Sequence, residues 1–141
     1  MNDMIQMHYV VPADDFTRAG EASSSVKSKL KLMGVKPEII RKVAIAMYEG
    51  EINMVIHASG GDIDVTVTPE EIVMVLKDSG PGIADIEQAM QAGFSTAPDN
   101  IRALGFGAGM GLPNMKKYTD ELLIESEVGV GTTVTMKVKM V

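Results

Sequence analysis

Glu49 and Asn53 stand four residues apart in the stretch Glu49-Gly50-Glu51-Ile52-Asn53, inside a segment whose apolar residues recur at helical spacing. One helical turn puts a carboxylate and a carboxamide on the same face. Such a carboxylate can take a proton from an incoming hydroxyl. The amide oxygen can ligate a hard cation such as magnesium. His57 continues the face one turn further and can touch phosphate, although a hydrogen-bonded histidine at a helix end is the plainer reading. Glu51 points elsewhere on the helix and is expected at the surface. Taken alone, this pattern is more often a solvated polar stripe.

A second stretch, Asp78-Ser79-Gly80-Pro81-Gly82, closes the apolar run Ile72-Val73-Met74-Val75-Leu76. A carboxylate there can accept a hydrogen bond from an exocyclic amine such as that of adenine. Gly80 and Gly82 bend the chain and let a flat ligand approach the backbone. The same five residues also describe an ordinary strand-ending turn. The third stretch is the strongest. Gly105, Gly107, Gly109 and Gly111 interleave with Phe106, Ala108 and Met110, and lead through Leu112 into Pro113-Asn114-Met115-Lys116-Lys117, a helix start. Backbone N–H groups free of side chains can wrap phosphate oxygens, and the helix N-terminus adds partial positive charge. Lys116 can add full charge. A loop without a ligand is the alternative, and glycines at every second position just before a helix count against it.

The elements that would carry these groups can be read from periodicity. Met4 to Val11 alternates as a strand and stops at Pro12. Ala13 to Met33 has helix composition, with Gly34 as its stop. Pro37 suits a first helical turn, and Glu38 to about Ala58 is a long helix. Ile63 to Thr68 and Glu71 to Lys77 are strands around a Pro69-Glu70 turn. Ile83 to Ala92 reads as a short helix. Gly93 to Met110 reads as a long loop, a length that compact domains reserve for function. Gly111 to Tyr118 opens a helix, and Glu121 to Glu127 and Thr132 to Val141 are strands joined through Val128-Gly129-Val130-Gly131. Tight turns between neighbouring strands favour antiparallel pairing with helices on one face. The expected fold is α+β: a single domain over residues 1–141, a two-layer α/β sandwich whose sheet is mixed but mostly antiparallel.

The bulk properties narrow the function. A net charge of −6 and no clustered Lys/Arg stripe argue against direct nucleic-acid binding. Lys27, Lys29 and Lys31 read as a solvated face. With no cysteine, disulfides and thiolate metal sites are excluded, and a reducing compartment is the simple expectation. The N-terminus lacks the blocks of a signal peptide, and no apolar run reaches membrane-spanning length, so a soluble cytoplasmic protein without membrane contact is expected. Twelve methionines are read as gap-fillers of a mixed core rather than as a docking surface. A Walker A loop would need a Gly-Lys pair, which does not occur. A Rossmann fingerprint would follow the first strand, and here the glycines come late.

In this order and spacing the three stretches resemble the GHKL ATPase superfamily, which groups DNA gyrase, Hsp90, histidine kinases and MutL. Glu49-x-x-x-Asn53 matches its N box, Asp78-x-Gly80-x-Gly82 its first glycine box, Gly107-x-Gly109-x-Gly111-Leu112 the second, and Gly131-Thr132 the closing pair on the last strand. The resemblance implies the Bergerat ATP-binding fold with a mobile ATP lid. It implies Glu49 as general base, Asn53 as magnesium ligand, and Asp78 on the adenine amine with Thr132 in support. Gly107 to Leu112, including Met110, would then be the phosphate-binding end of the lid, with Gly105 as a further nucleotide-binding residue. Gly93-Phe94-Ser95-Thr96 and Gly131-Thr132-Thr133-Val134 bring the chain nearest to the small bacterial anti-sigma-factor serine kinases and partner-switching switch kinases. The segment Ala97 to Leu104 makes the lid longer than that resemblance predicts.

The function so implied is a Mg-ATP-dependent serine/threonine kinase acting on a small antagonist or scaffold protein, with a sigma factor as a further partner and a homodimer compatible with the resemblance. The competing reading is a non-catalytic switch, in which ATP closes the lid and the closed form sequesters a sigma factor or its antagonist. Slow hydrolysis driving a conformational cycle is a third and weaker reading.

Overall fold

Alternation along five short runs becomes one sheet. The computed structural model describes residues 4–12, 18–57, 60–80 and 111–140. Among them β1 (Ile5–Val11), β2 (Gly61–Val67), β3 (Glu71–Lys77), β4 (Glu121–Glu127) and β5 (Gly131–Lys139) pair in the order β1-β2-β3-β5-β4. Every pairing is antiparallel. The connections explain the order: Thr68 closes the β2–β3 turn through its N–H and hydroxyl to the Glu71 carbonyl, at 2.9 and 3.2 Å. Between β4 and β5 the Val130 N–H meets the Glu127 carbonyl at 3.0 Å around Gly129, whose φ is +82°. The helix read over Ile83 to Ala92 and the loop to Met110 lie outside the described residues.

Register turns the period of two into a buried face. Met7, Val65, Met74, Met136 and Leu122 form one row across all five strands. The next row is Tyr9, Ile63, Leu76, Val134 and Ile124. Among the described residues three helices cover this face: α1 (Glu21–Leu32), α2 (Pro37–His57) and α3 (Gly111–Lys117). Val26, Leu30, Val43, Met47, Val55 and Met115 supply their buried sides. Each fully buried side chain of this kind stabilises the fold by about 1.5–3 kcal/mol relative to exposure. The buried Met7, Met47, Met54, Met74, Met115 and Met136 serve the core, as the composition suggested. No helix among the described residues is long and apolar enough to cross a membrane.

Two sequence expectations need correction. The helix read over Ala13 to Met33 is not continuous: Gly20, with a φ of +98°, interrupts helical geometry and α1 starts at Glu21, while residues 13–17 lie outside the described residues. Its end agrees with the reading: the Gly34 and Val35 N–H groups return to the Lys31 and Leu30 carbonyls, both at 3.1 Å, in a glycine-terminated cap. The second correction is Glu51, which is 2% exposed rather than on the surface. Its carboxylate accepts the backbone N–H groups of Gly20 (3.0 Å), Ala22 (3.2 Å) and Ser23 (3.1 Å) and the Ser23 hydroxyl (2.7 Å). These donors are the orphan groups at the start of α1, so a residue of α2 caps its neighbour and fixes the joint between them.

Candidate functional site

Glu49, Gly50 and Glu51 face three ways from one turn of α2. Glu51 holds α1. Gly50 faces the sheet: a Cβ there would stand 2.4 Å from Leu76 Cδ2 and 3.5 Å from Met115 Sδ. Only a glycine allows this approach without displacing buried neighbours. Leu76 lies two residues before Asp78 on the same face of the sheet, so the contact seats α2 over the end of β3 that carries the acid. Glu49 is half-buried, and Asn53, one turn on, is also partly buried.

The electrostatics of Glu49 follow from that seat. Loss of water raises its carboxyl above the ordinary value of 4.5, and the Asn114 amide, offered from α3, partly opposes the rise. The Tyr48 hydroxyl is also pushed up, first by burial and then by the Glu49 and Glu51 charges. A carboxyl shifted toward neutral pH is a better general base than a fully solvated one.

Asp78, Thr132 and Ser126 form a polar corner at the edge of the apolar face. Alternation carries the buried rows onward from Leu76 to Asp78, from Val134 to Thr132 and from Ile124 to Ser126. The Asp78 N–H meets the Thr132 carbonyl at 3.0 Å. Asp78 Oδ1 accepts two backbone N–H groups, Gly80 at 2.9 Å and Thr132 at 3.2 Å. Its second oxygen, Oδ2, has no hydrogen bond among the described residues. Ser126 Oγ and Thr132 Oγ1 lie 2.8 Å apart, and the Ser126 hydroxyl donates to the Gly131 carbonyl at 3.2 Å. Gly131 has a φ of +150°, and a Cβ on it would strike the Asp78 carbonyl at 2.2 Å. Glycine is thus required where the last strand passes the acid.

The remaining sequence candidates divide in two. Gly80 is buried beside Asp78, Gly111 opens α3, Leu112 is buried, and Lys116 is exposed in the last turn of α3. Gly82, Gly105, Gly107, Gly109 and Met110 lie outside the described residues, as does the side chain of His57. Three contributors escaped the sequence reading. Ser126 was visible in principle, since the hairpin register sets it opposite Thr132. Glu51 lies one turn from both Met47 and Val55 on the buried stripe, which was a usable signal. Asn114 carried none, because its role depends on how α3 packs against α2.

The donor set fits an adenine nucleotide. Asp78 has one oxygen held in place and one left for an amine. Among the described residues no three His, Asp or Glu side chains gather as a metal cage. A magnesium ion that arrives on phosphates needs only one or two protein ligands, which suits Asn53. Fold and site together define an ATP-binding domain.

Residues 12–138 match the family described as histidine kinase-like ATPase domain, and the chain belongs to it. The chain is similar to the anti-sigma F factor of Geobacillus sp. (strain WCH70), at 34% identity over 104 residues, 70% of this chain and 68% of that protein. It is also similar to the anti-sigma F factor of Clostridium acetobutylicum, at 35% identity over 107 residues, covering 72% and 71% of the two chains. The mycobacterial sensor histidine kinase MprB shares the fold, with a TM-score of 0.54, 16% sequence identity, and 96% and 97% of the chains covered.

Proposed function

We propose that this protein is an ATP-dependent serine/threonine kinase of the anti-sigma-factor, partner-switching type, acting in the cytoplasm on a small partner protein. The observation that carries the proposal is Glu49: a half-buried carboxyl with a raised proton affinity, one turn from Asn53 on the helix seated beside Asp78. In this reading Asp78 Oδ2 accepts the adenine amine and Thr132 supports it. Gly105 to Leu112 cradle the phosphates, with Met110, His57 and Lys116 as further contacts. Asn53 holds the magnesium ion, which when bound would neutralise phosphate charge.

Glu49 accepts the proton of a partner Ser or Thr hydroxyl as that oxygen bonds to the γ-phosphorus. The bond from the γ-phosphorus to the β-bridging oxygen breaks, and the electron pair leaves with ADP. The chain contributes mainly by positioning and by excluding water. The test is incubation with labelled ATP and candidate partners. Labelling of a partner Ser or Thr, lost in Glu49→Ala, is the expected result. Tight ATP binding with no partner ever labelled would end the kinase reading.

The similarity to proteins called anti-sigma F factors favours one further reading, a binding switch that captures a sigma factor or antagonist when ATP is bound. Regulation that survives in Glu49→Ala but not in Asn53→Ala supports the switch. Loss in both supports chemistry.

A further inference from the structure

Charge in this chain is unevenly placed. Between residues 27 and 42 stand six cations, Lys27, Lys29, Lys31, Lys36, Arg41 and Lys42, and one anion, Glu38, a net of +5. The whole chain has 13 Lys and Arg and 19 Asp and Glu, so the rest keeps 7 cations and 18 anions, a net of −11. Spacing along α1 disperses its lysines, but the fold gathers the set. Glu51, late in α2, binds the start of α1, so the two helices run antiparallel and the end of α1 lies beside the start of α2. All six cations are exposed, and the ion pairs among the described residues lie elsewhere. Among those residues only Lys29 of the six has a side-chain partner, the Tyr9 hydroxyl at 3.2 Å.

Helix electrostatics account for only part of this set. Lys29 and Lys31 stand in the last turn of α1, where the macrodipole favours cations. Lys36 stands at the opposite kind of end. Its carbonyl receives the Ile39 and Ile40 N–H groups, both at 3.0 Å, so its charge sits at the positive terminus of α2. Lys27 and Lys31, one turn apart, repel each other. Leu32, next to Lys31 and one turn after Lys29, is 89% exposed. A lone exposed leucine is ordinary; one set among unpaired cations has the composition of an apolar interface anchor within a charged rim.

We propose that the α1–α2 corner is a docking surface for a short acidic segment of a partner protein that carries one large apolar side chain. The inference goes beyond the kinase and switch readings and is compatible with either. Charge complementarity selects the occupant. A bilayer or a nucleic acid is an extended polyanion that meets the whole molecule, with its net charge of −6. Residues 27–42 also lack an aromatic side chain for a lipid interface or a base. A short segment meets the corner alone, because charges beyond about 8 Å are screened at physiological salt.

The probe is a labelled short peptide of Glu and Asp with one central Leu, and its binding to the full chain is read by fluorescence anisotropy. Wild type should bind it, less tightly as salt rises. Lys31→Glu combined with Arg41→Glu should weaken binding by at least about tenfold. Lys77→Glu combined with Lys139→Glu, the same change in net charge on the uncovered face of the sheet, should leave it unaltered. Leu32→Ser should weaken binding by about five- to tenfold. The substituted side chains are exposed, so every variant should melt as wild type does. No binding by wild type overturns the inference, as does an equal loss in the two charge-reversed proteins. Binding that ignores Leu32→Ser overturns it too, since attraction by bulk charge would then suffice. Tighter binding to phosphatidylserine vesicles or to a short DNA duplex than to the peptide, lost in Lys31→Glu with Arg41→Glu, would give the corner to a polyanionic surface and overturn the acidic-segment assignment.

Discussion

Replacing Glu51 with alanine removes the acceptor of four donors at once. Three are the backbone N–H groups of Gly20, Ala22 and Ser23, and the fourth is the Ser23 hydroxyl. Hydrogen bonds to a charged group are worth about 1.5–3 kcal/mol each, so a simple sum exceeds 6 kcal/mol. The sum overstates the loss, since water can reach part of the vacated space and the cost of burying the carboxylate also disappears. Breaking a buried charged pair costs about 3–5 kcal/mol, and losing a helix cap alone about 1 kcal/mol. We therefore expect Glu51→Ala to lose about 3–5 kcal/mol, a large share of the roughly 5–15 kcal/mol available to a domain. Glu51→Gln turns a donor toward the N–H groups it should satisfy, and should lose about 2–3 kcal/mol. Urea unfolding followed by far-ultraviolet circular dichroism measures this, with a lowered midpoint and an unchanged slope. At about 3 °C per kcal/mol for a chain of this size, Glu51→Ala should melt roughly 10–15 °C lower. A loss below about 1 kcal/mol would refute the argument that Glu51 caps α1 from within α2.

Glu49, two residues away, should behave oppositely. Burial raises its carboxyl above 4.5, so the folded state keeps a proton that the unfolded chain releases, and stability falls as pH rises from that value through the folded midpoint. Glu49→Gln should remove this slope, matching wild type near about pH 4 and exceeding it near about pH 7 in urea midpoint, while abolishing transfer to a partner. Asn114→Ala should raise the Glu49 midpoint further, read by carboxyl NMR, because it removes the amide that opposes the burial effect. Gly131→Ala should destabilise by at least about 2 kcal/mol and weaken ATP binding, since its Cβ meets the Asp78 carbonyl. His8 on β1 meets Asp64 at 2.7 Å and Asp62 at 3.4 Å, and the Asp64 bond first among causes raises its pKa from 6.5. That stabilisation is complete below 6.5 and lost as pH rises through the folded midpoint, so the gap in urea midpoint between wild type and His8→Ala should close on the alkaline side.

Much of the fold was legible because the sheet has one buried face. Period-two runs such as Ile72-Met74-Leu76 announce both a strand and its inner side, and the same count places Asp78 on that side. Gly34 and the Pro69-Glu70 turn mark boundaries by local backbone chemistry, and they appear where expected. The start of α1 was misjudged because its cap is not local: the acceptor comes from a residue 28 positions or more along the chain. Glu51 was misjudged for the same reason, since a charge on a buried stripe is tolerable only with partners that a single helix cannot reveal. Ser126 lay between these cases. Its face was readable from β4, but its 2.8 Å contact with the Thr132 hydroxyl depends on distances across the hairpin.

The central claim is that Asp78 accepts the adenine amine of ATP through the oxygen that its neighbours leave unclaimed. Asp78→Asn tests it most directly. The carboxamide oxygen can still receive the Gly80 and Thr132 N–H groups, so the turn is kept while a donor replaces the free acceptor. In calorimetric titration with MgATP, wild type should bind, and Asp78→Asn should bind about ten- to a hundredfold more weakly with an unaltered melting temperature. ATP affinity in Asp78→Asn equal to that of wild type would contradict the claim.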